Sequence, residues 1–135
     1  MKIVVGFKGT PEGKAALDWA IQEARQHAAE LFIVHSLRGG TDAKSETDQV
    51  WQAREELAEA EQRLADAGVA YTVRKYMRGK SPAEDLNDVV AKEGADLIVI
   101  GIRRRSRTGK LLLGSNAQEI LLDGDCPVVA VKAKE

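Results

Sequence analysis

Ile3-Val4-Val5-Gly6-Phe7-Lys8-Gly9-Thr10-Pro11 opens the chain with a short apolar run, a glycine turn and a helix start. Ile3 to Phe7 is continuous and rich in β-branched residues, which predicts a strand buried on both faces. Thr10 suits a helix N-cap, and Pro11 suits the first helical position, where its missing N–H costs nothing. Ala16, Ala20, Ala24 and Ala28, flanked by Leu17 and Ile21, then recur at helical spacing to about residue 29. Leu31 to Val34 is a second apolar run. Strand, helix and strand joined this closely form a βαβ unit, and its two strands must be parallel.

The rest of the chain continues the alternation. Leu37 to Asp48 is polar, contains Gly39-Gly40, and reads as a loop. Val50, Ala53, Leu57, Ala60, Leu64 and Ala67 mark a long amphipathic helix that stops at Gly68. Glu55, Glu56, Glu59, Glu61 and Arg63 fall on its other face, which reads as solvated. Tyr71 to Tyr76 alternates like an exposed edge strand, closed by Gly79. Ser81-Pro82-Ala83-Glu84 is a capping box, opening a helix that buries Leu86, Val89 and Val90 and ends at Gly94. Leu97 to Ile100 is the most apolar strand and therefore an interior one. Ser115-Asn116-Ala117-Gln118 reads as another capping box, with its helix running through Leu122, and Val128 to Val131 is the final strand. Trp19 and Trp51 fall on helical patterns and read as packing residues.

Five strands alternating with four helices predict an α/β fold. It is a doubly wound five-stranded parallel sheet with helices on both faces and strand order 3-2-1-4-5. The 135 residues fit one domain, 1–135. Such sheets bind ligands outside the carboxyl ends of their strands, where strand order reverses. Gly6 to Thr10, His35 to Leu37 and the residues after Gly101 all leave such ends.

Composition narrows the class. Hydrophobic residues are 44% and charged residues 30%, a globular balance that excludes disorder. The net charge of −1 offers no broad attraction to nucleic acid or to a membrane surface. No apolar run approaches the ~20 residues that a membrane span needs. Met1 to Val5 is too short for a signal-peptide core. Cys126, the single cysteine, cannot form an internal disulfide and reads as a buried, reduced thiol, so a cytoplasmic location is expected. His27 and His35 with one cysteine do not make a metal site, and no spacing suggests a catalytic triad. His35 ends a buried strand and reads as structural.

The stretch with chemical content runs from Gly101 to Asn116. Gly101 permits a close backbone approach to a ligand. Arg103, Arg104, Arg105, Arg107 and Lys110 follow, and Gly114 removes a side chain just before a helix start. The first amides of that helix have no internal partners and can donate to an anion. The hydroxyl of Ser115 can cap the helix or meet a phosphate. Within this stretch Gly109-Lys110 is followed by Leu111 rather than Ser or Thr, so it is not a Walker A loop.

Leu97-Ile-Val-Ile-Gly101, Leu111-Leu-Leu-Gly114-Ser115 and Cys126-Pro127-Val128-Val129-Ala130-Val131 together resemble the C-terminal half of a universal stress protein domain. Gly9-Thr10-Pro11, Val34-His35 and Gly79-Lys-Ser-Pro82 extend the likeness over nearly the whole chain. ATP-binding members of that family carry Gly, two residues, Gly, nine residues, then Gly-Ser or Gly-Thr. Gly101 and Gly114-Ser115 keep that spacing, but Arg104 replaces the middle glycine. Those members also place an aspartate after the first strand, where this chain has Lys8. The resemblance implies a site for ATP or another adenine nucleotide made by Gly6, Phe7, Lys8, Ser36, Gly101, Arg103, Arg104, Gly114, Ser115 and Asn116. Phe7 would either stack on the base or belong to the core. The resemblance also implies a role in a stress response and a homodimer formed through the final strand. Two functions compete: a nucleotide- or anion-binding regulatory module, and a dimeric interaction protein of the same fold that does not bind ATP. At most a weak ATPase is expected, since neither a base nor a metal-ligand cluster is evident to activate water.

Overall fold

The computed structural model describes residues 1–37, 43–77, 80–103 and 113–133. Their elements are β1 (Lys2–Gly6), α1 (Pro11–His27), β2 (Glu30–Leu37), α2 (Ala43–Ala67), β3 (Tyr71–Met77), α3 (Pro82–Glu93), β4 (Leu97–Ile102), α4 (Ser115–Asp123) and β5 (Val128–Lys132). The five strands form one sheet in the order β3-β2-β1-β4-β5, all pairs parallel. That is the order and sense the sequence implies.

Alternation along the strands divides the core in two. Ile3, Val5, Leu31, Ile33 and Val99 face α1 and α2, where Leu17, Leu57 and Leu64 meet them. Val4, Phe32, Val34, Ile98 and Ile100 face α3 and α4, where Leu86, Val89 and Ile120 meet them. Each such side chain contributes roughly 1.5–3 kcal/mol when fully buried. The alanines of α1, Ala16, Ala20 and Ala24, line its buried stripe. Their short side chains let the helix lie close to the sheet.

The helix ends follow their local chemistry. Thr10 caps α1 by accepting from the Gly13 amide at 3.1 Å, and Ser81 caps α3 by accepting from the Glu84 amide at 3.2 Å. Gly94 closes α3 in the left-handed conformation at φ 66°, where glycine carries no steric penalty.

Four readings of the sequence need correction. The expected loop from Leu37 to Asp48 is shorter, because α2 begins at Ala43. Thr47 and Asp48, polar residues within it, are exposed and gave no apolar periodic signal. Strand β2 also runs on to Leu37, because His35, Ser36 and Leu37 pair with Lys75, Tyr76 and Met77 through backbone bonds that need no apolar side chain. Trp51 is 59% exposed, with the Arg54 guanidinium 5.5 Å over its ring, whereas Trp19 packs against the core as expected. Cys126 is half-buried rather than buried. Partial burial and the nearby Asp125 and Asp96 push its thiol pKa up, which keeps it protonated and unreactive. Gly39, Gly40 and Gly79 lie outside the described residues.

Candidate functional site

A cleft of about 380 Å³ opens at the carboxyl ends of β1, β2 and β4, between the first turns of α1, α3 and α4. Its floor is tight. A Cβ on Gly6 would lie 3.3 Å from Ile100 and 3.5 Å from Leu86. Nine of the ten residues expected from the sequence line this one cleft: Gly6, Phe7, Lys8, Ser36, Gly101, Arg103, Gly114, Ser115 and Asn116. Arg104 lies outside the described residues, as do Arg105, Arg107 and Lys110.

The cleft has an end suited to anions. The N-cap of α4 is Gly114, at φ −64° and ψ 159°, and it has no side chain with which to cap. Ser115 is therefore the first helical residue, one position later than a capping box requires. The Gln118 side chain donates to the Leu113 carbonyl at 3.2 Å instead of completing the box. Unlike α1 and α3, α4 thus opens on the cleft without a side-chain cap. The partial positive charge of a helix start favours an anion there, by about 0.3–1 kcal/mol when exposed. Among the described residues a Cβ on Gly114 would meet nothing within 4 Å, which leaves them open to an approach there. Lys8 and Arg103 border the same cleft, and both are exposed. Among the described residues no group of three or more His, Cys, Asp or Glu side chains converges to hold a metal ion.

Two of the cleft-lining residues also serve the packing of the fold. The Phe7 side chain is 3% exposed and belongs to the core under α1 and α2. Its ring lies 6.3 Å from that of His35, so of the two roles expected for it the packing seen is the core one. Gly101 borders the cleft, but its missing side chain answers to α1. A Cβ there would fall 2.1 Å from the Glu12 carbonyl oxygen.

Two carboxylates were missed by the sequence reading. Glu56, read as solvated, reaches from α2 to the loop after β1. Its Oε2 accepts from the Gly9 amide at 3.2 Å and lies 3.6 Å from Nε2 of His35. Burial lowers the His35 pKa, while Glu56 partly restores it. The folded state therefore prefers the neutral imidazole, and stability drops as pH falls through the ordinary histidine range. This link ties α2 to the loop that carries Lys8.

Asp85 on α3 is 5% exposed and accepts a hydrogen bond from Ser36 Oγ at 2.8 Å. Burial pushes its carboxyl pKa up, and the Ser36 hydrogen bond works against that rise. A sequence signal existed: position 85 precedes Val89 by four and follows Pro82 by three, on the buried stripe of the helix. Next to it, Tyr76 donates to Asp88 at 2.7 Å, and the phenol pKa is pushed up to about 12, by burial first and Asp88 second.

Comparison with known proteins follows the same lines. The model of the universal stress protein family matches residues 1–132. A universal stress protein of Mycolicibacterium smegmatis is 38% identical over 130 residues, spanning 96% of both chains. A solved universal stress protein from Archaeoglobus fulgidus superposes with a TM-score of 0.82 at 34% identity, covering 97% of each chain. Another structure from that organism, a universal stress protein in complex with dAMP, gives a TM-score of 0.74 at 29% identity over 97% of this chain and 96% of that one. With strand order, cleft and whole-length matches in agreement, this chain belongs to the universal stress protein family.

Proposed function

We propose that the cleft binds an adenine nucleotide, with its phosphates against the first turn of α4 and its base toward the end of β2, and that the chain works as a regulatory module in a stress response. The observation that supports this best is the uncapped start of α4, which opens on the cleft that also holds Lys8, Arg103 and Ser36. Cations and backbone amides suit the phosphate end, while Val34 at the other end and Leu86 over Gly6 suit a flat, largely apolar base. The dAMP complex of the Archaeoglobus relative is consistent with this reading.

Gly114→Val tests it. The φ of −64° and the open space around the Cβ position let the helix accept valine, while the branched side chain covers the first-turn amides. In calorimetry with AMP, ADP and ATP the parent should bind at least one of them. The variant should bind it about tenfold or more weakly, the loss of one or two charge-assisted hydrogen bonds, with its far-ultraviolet dichroism unchanged. Equal affinities would place the phosphates elsewhere.

A second reading is favoured by Lys8, which stands where the family's ATP binders have aspartate. In that reading the chain is a dimeric interaction protein that binds no nucleotide. Mass spectrometry of small molecules released from freshly purified protein separates the two, since a protein that carries none and gives no heat on titration decides for the second.

Both readings include a homodimer. Strand β5 ends the sheet, and Val128 to Val131 are only half-buried in the single chain. An edge strand of this composition, with Lys132 as its one exposed charge, invites pairing with a second copy across a two-fold axis. Light scattering at tens of micromolar, on the order of a modest interface's affinity, should return twice the chain mass. A monomer at that concentration rejects the interface.

A further inference from the structure

We infer that Asp85, without touching the ligand, selects a purine that carries an exocyclic 6-amino group, by holding the Ser36 hydroxyl so that only its oxygen lone pairs face the cleft. The inference rests on the nucleotide reading above and adds a determinant of base choice to it. A serine hydroxyl has one proton to donate and two lone pairs. In this chain the Ser36 proton is directed at Asp85 Oδ2, at 2.8 Å. An ionised carboxylate only accepts, so it cannot return a proton to the serine. Ser36 itself lines the cleft, whereas Asp85 is buried beneath it at 5% exposure. A ligand therefore meets an acceptor at the β2 end.

The location fits the base rather than the phosphate. The phosphate end lies over β4 and α4, and β1 separates β4 from β2 in the sheet. Two strand spacings put the β2 end about 10 Å away, at the far side of a mononucleotide from its phosphate. Pro82 and Leu86 line the same cleft and supply the apolar contact a base needs. An amino group can donate to Ser36. A carbonyl at the same ring position brings a second acceptor against it and leaves both without a proton, a mismatch worth about tenfold or more in affinity.

Three ligands that differ only at that ring position test this by calorimetry: AMP, IMP and purine riboside 5′-monophosphate. The parent should bind AMP about tenfold tighter than IMP, with the compound lacking a substituent in between. Asp85→Asn keeps the shape but gives the hydroxyl a partner that can donate, freeing it to turn toward the ligand, so the AMP-to-IMP ratio should shrink toward one. Ser36→Ala should weaken AMP, tighten IMP by removing the opposed acceptor, and so collapse the ratio, while Ser36→Thr should restore it. A purely structural role for Asp85 would weaken all three ligands alike and leave the ratio intact. Equal binding of AMP and IMP by the parent overturns the inference while nucleotide binding stands. The same holds if Asp85→Asn binds nucleotide with the parent's ratio. Should Asp85→Asn not fold, the parent's ratio and the two Ser36 variants still decide. A parent that binds none of the three overturns the inference together with the nucleotide reading beneath it.

Discussion

Gly101→Ala is expected to lower the melting temperature of the ligand-free protein by about 10 °C or more, and Gly101→Val to leave little folded protein at all. The added Cβ would fall 2.1 Å from the Glu12 carbonyl oxygen, 2.4 Å from its carbon and 2.9 Å from the Gly13 amide nitrogen. These are backbone atoms of the first turn of α1, so no side-chain rotation relieves the contact. Overpacking against side chains that can move costs ~1–3 kcal/mol. Against backbone the cost reaches the top of that range, and for a chain of this size each kcal/mol moves the midpoint by about 4 °C. Total stability of a domain is only ~5–15 kcal/mol, so valine, with two further methyl groups in the same place, is not affordable. Gly13 makes the matching contact, its Cβ position lying 2.0 Å from the Lys8 carbonyl oxygen. Two glycines and the alanine stripe thus let α1 sit down on the ends of β1 and β4. Gly114→Ala is the control. None of the described residues lies within 4 Å of its Cβ position and its φ is ordinary, so the midpoint should move by no more than a few degrees. Differential scanning calorimetry without ligand distinguishes the explanations. A glycine needed only for ligand approach would melt with the parent after substitution, and that result for Gly101→Ala would refute the packing argument.

The contrast between these two glycines shows what a sequence carries and what it withholds. Spacing identified both as members of one motif, and both border the cleft. Their physical reasons differ because one faces a helix that arrives from ninety residues earlier in the chain and the other faces open space. Strand order and parallel sense were legible because each strand is a short apolar run, each connection is a helix, and the handedness of a βαβ unit is fixed by chain chirality. The cleft was legible for the same reason, since topology alone places the carboxyl ends of β1, β2 and β4 side by side. Polar partnerships were not. Glu56 looks like an ordinary charge of an amphipathic helix, and the place of Asp85 on a buried stripe names no partner; only the packed structure shows that Asp85 lies under Ser36 and Glu56 over Gly9. The start of α4 was misread by one residue because Ser115 with Gln118 satisfies the capping pattern, while the glycine before it takes the cap position.

Lys8 and Arg104 lead to the second large effect, which concerns magnesium. The family's ATP binders carry aspartate and glycine at these positions. Magnesium keeps most of its waters and is held through one or two carboxylates together with the ligand's phosphates, so a single aspartate in this place is enough to matter. An ammonium has only donors and cannot take that role. Lys8 borders the cleft and is exposed, free to contact a phosphate directly and to replace part of the metal's charge. At ~4 Å near a surface such a contact is worth up to about 4 kcal/mol before desolvation is subtracted. Arg104, which lies outside the described residues, is expected to act in the opposite direction, since a side chain where the family's ATP binders have glycine would keep phosphates from lying on the backbone. Shape should prevail, because a displaced phosphate loses several directed hydrogen bonds together while a charge contact declines gradually with distance. The parent is therefore expected to bind Mg-ATP weakly, with little change when magnesium is chelated. The double variant Lys8→Asp, Arg104→Gly should bind Mg-ATP about a hundredfold tighter, or ~2.8 kcal/mol at 1.4 kcal/mol per tenfold, and should lose that gain in chelator. Lys8→Asp alone should gain less, because the metal's carboxylate would be present while the phosphates remain displaced. Calorimetry on the three proteins, with magnesium and with chelator, separates charge from shape. If the parent already binds ATP tightly and only with magnesium, or the double variant gains nothing, then neither position controls the site in the way its chemistry implies.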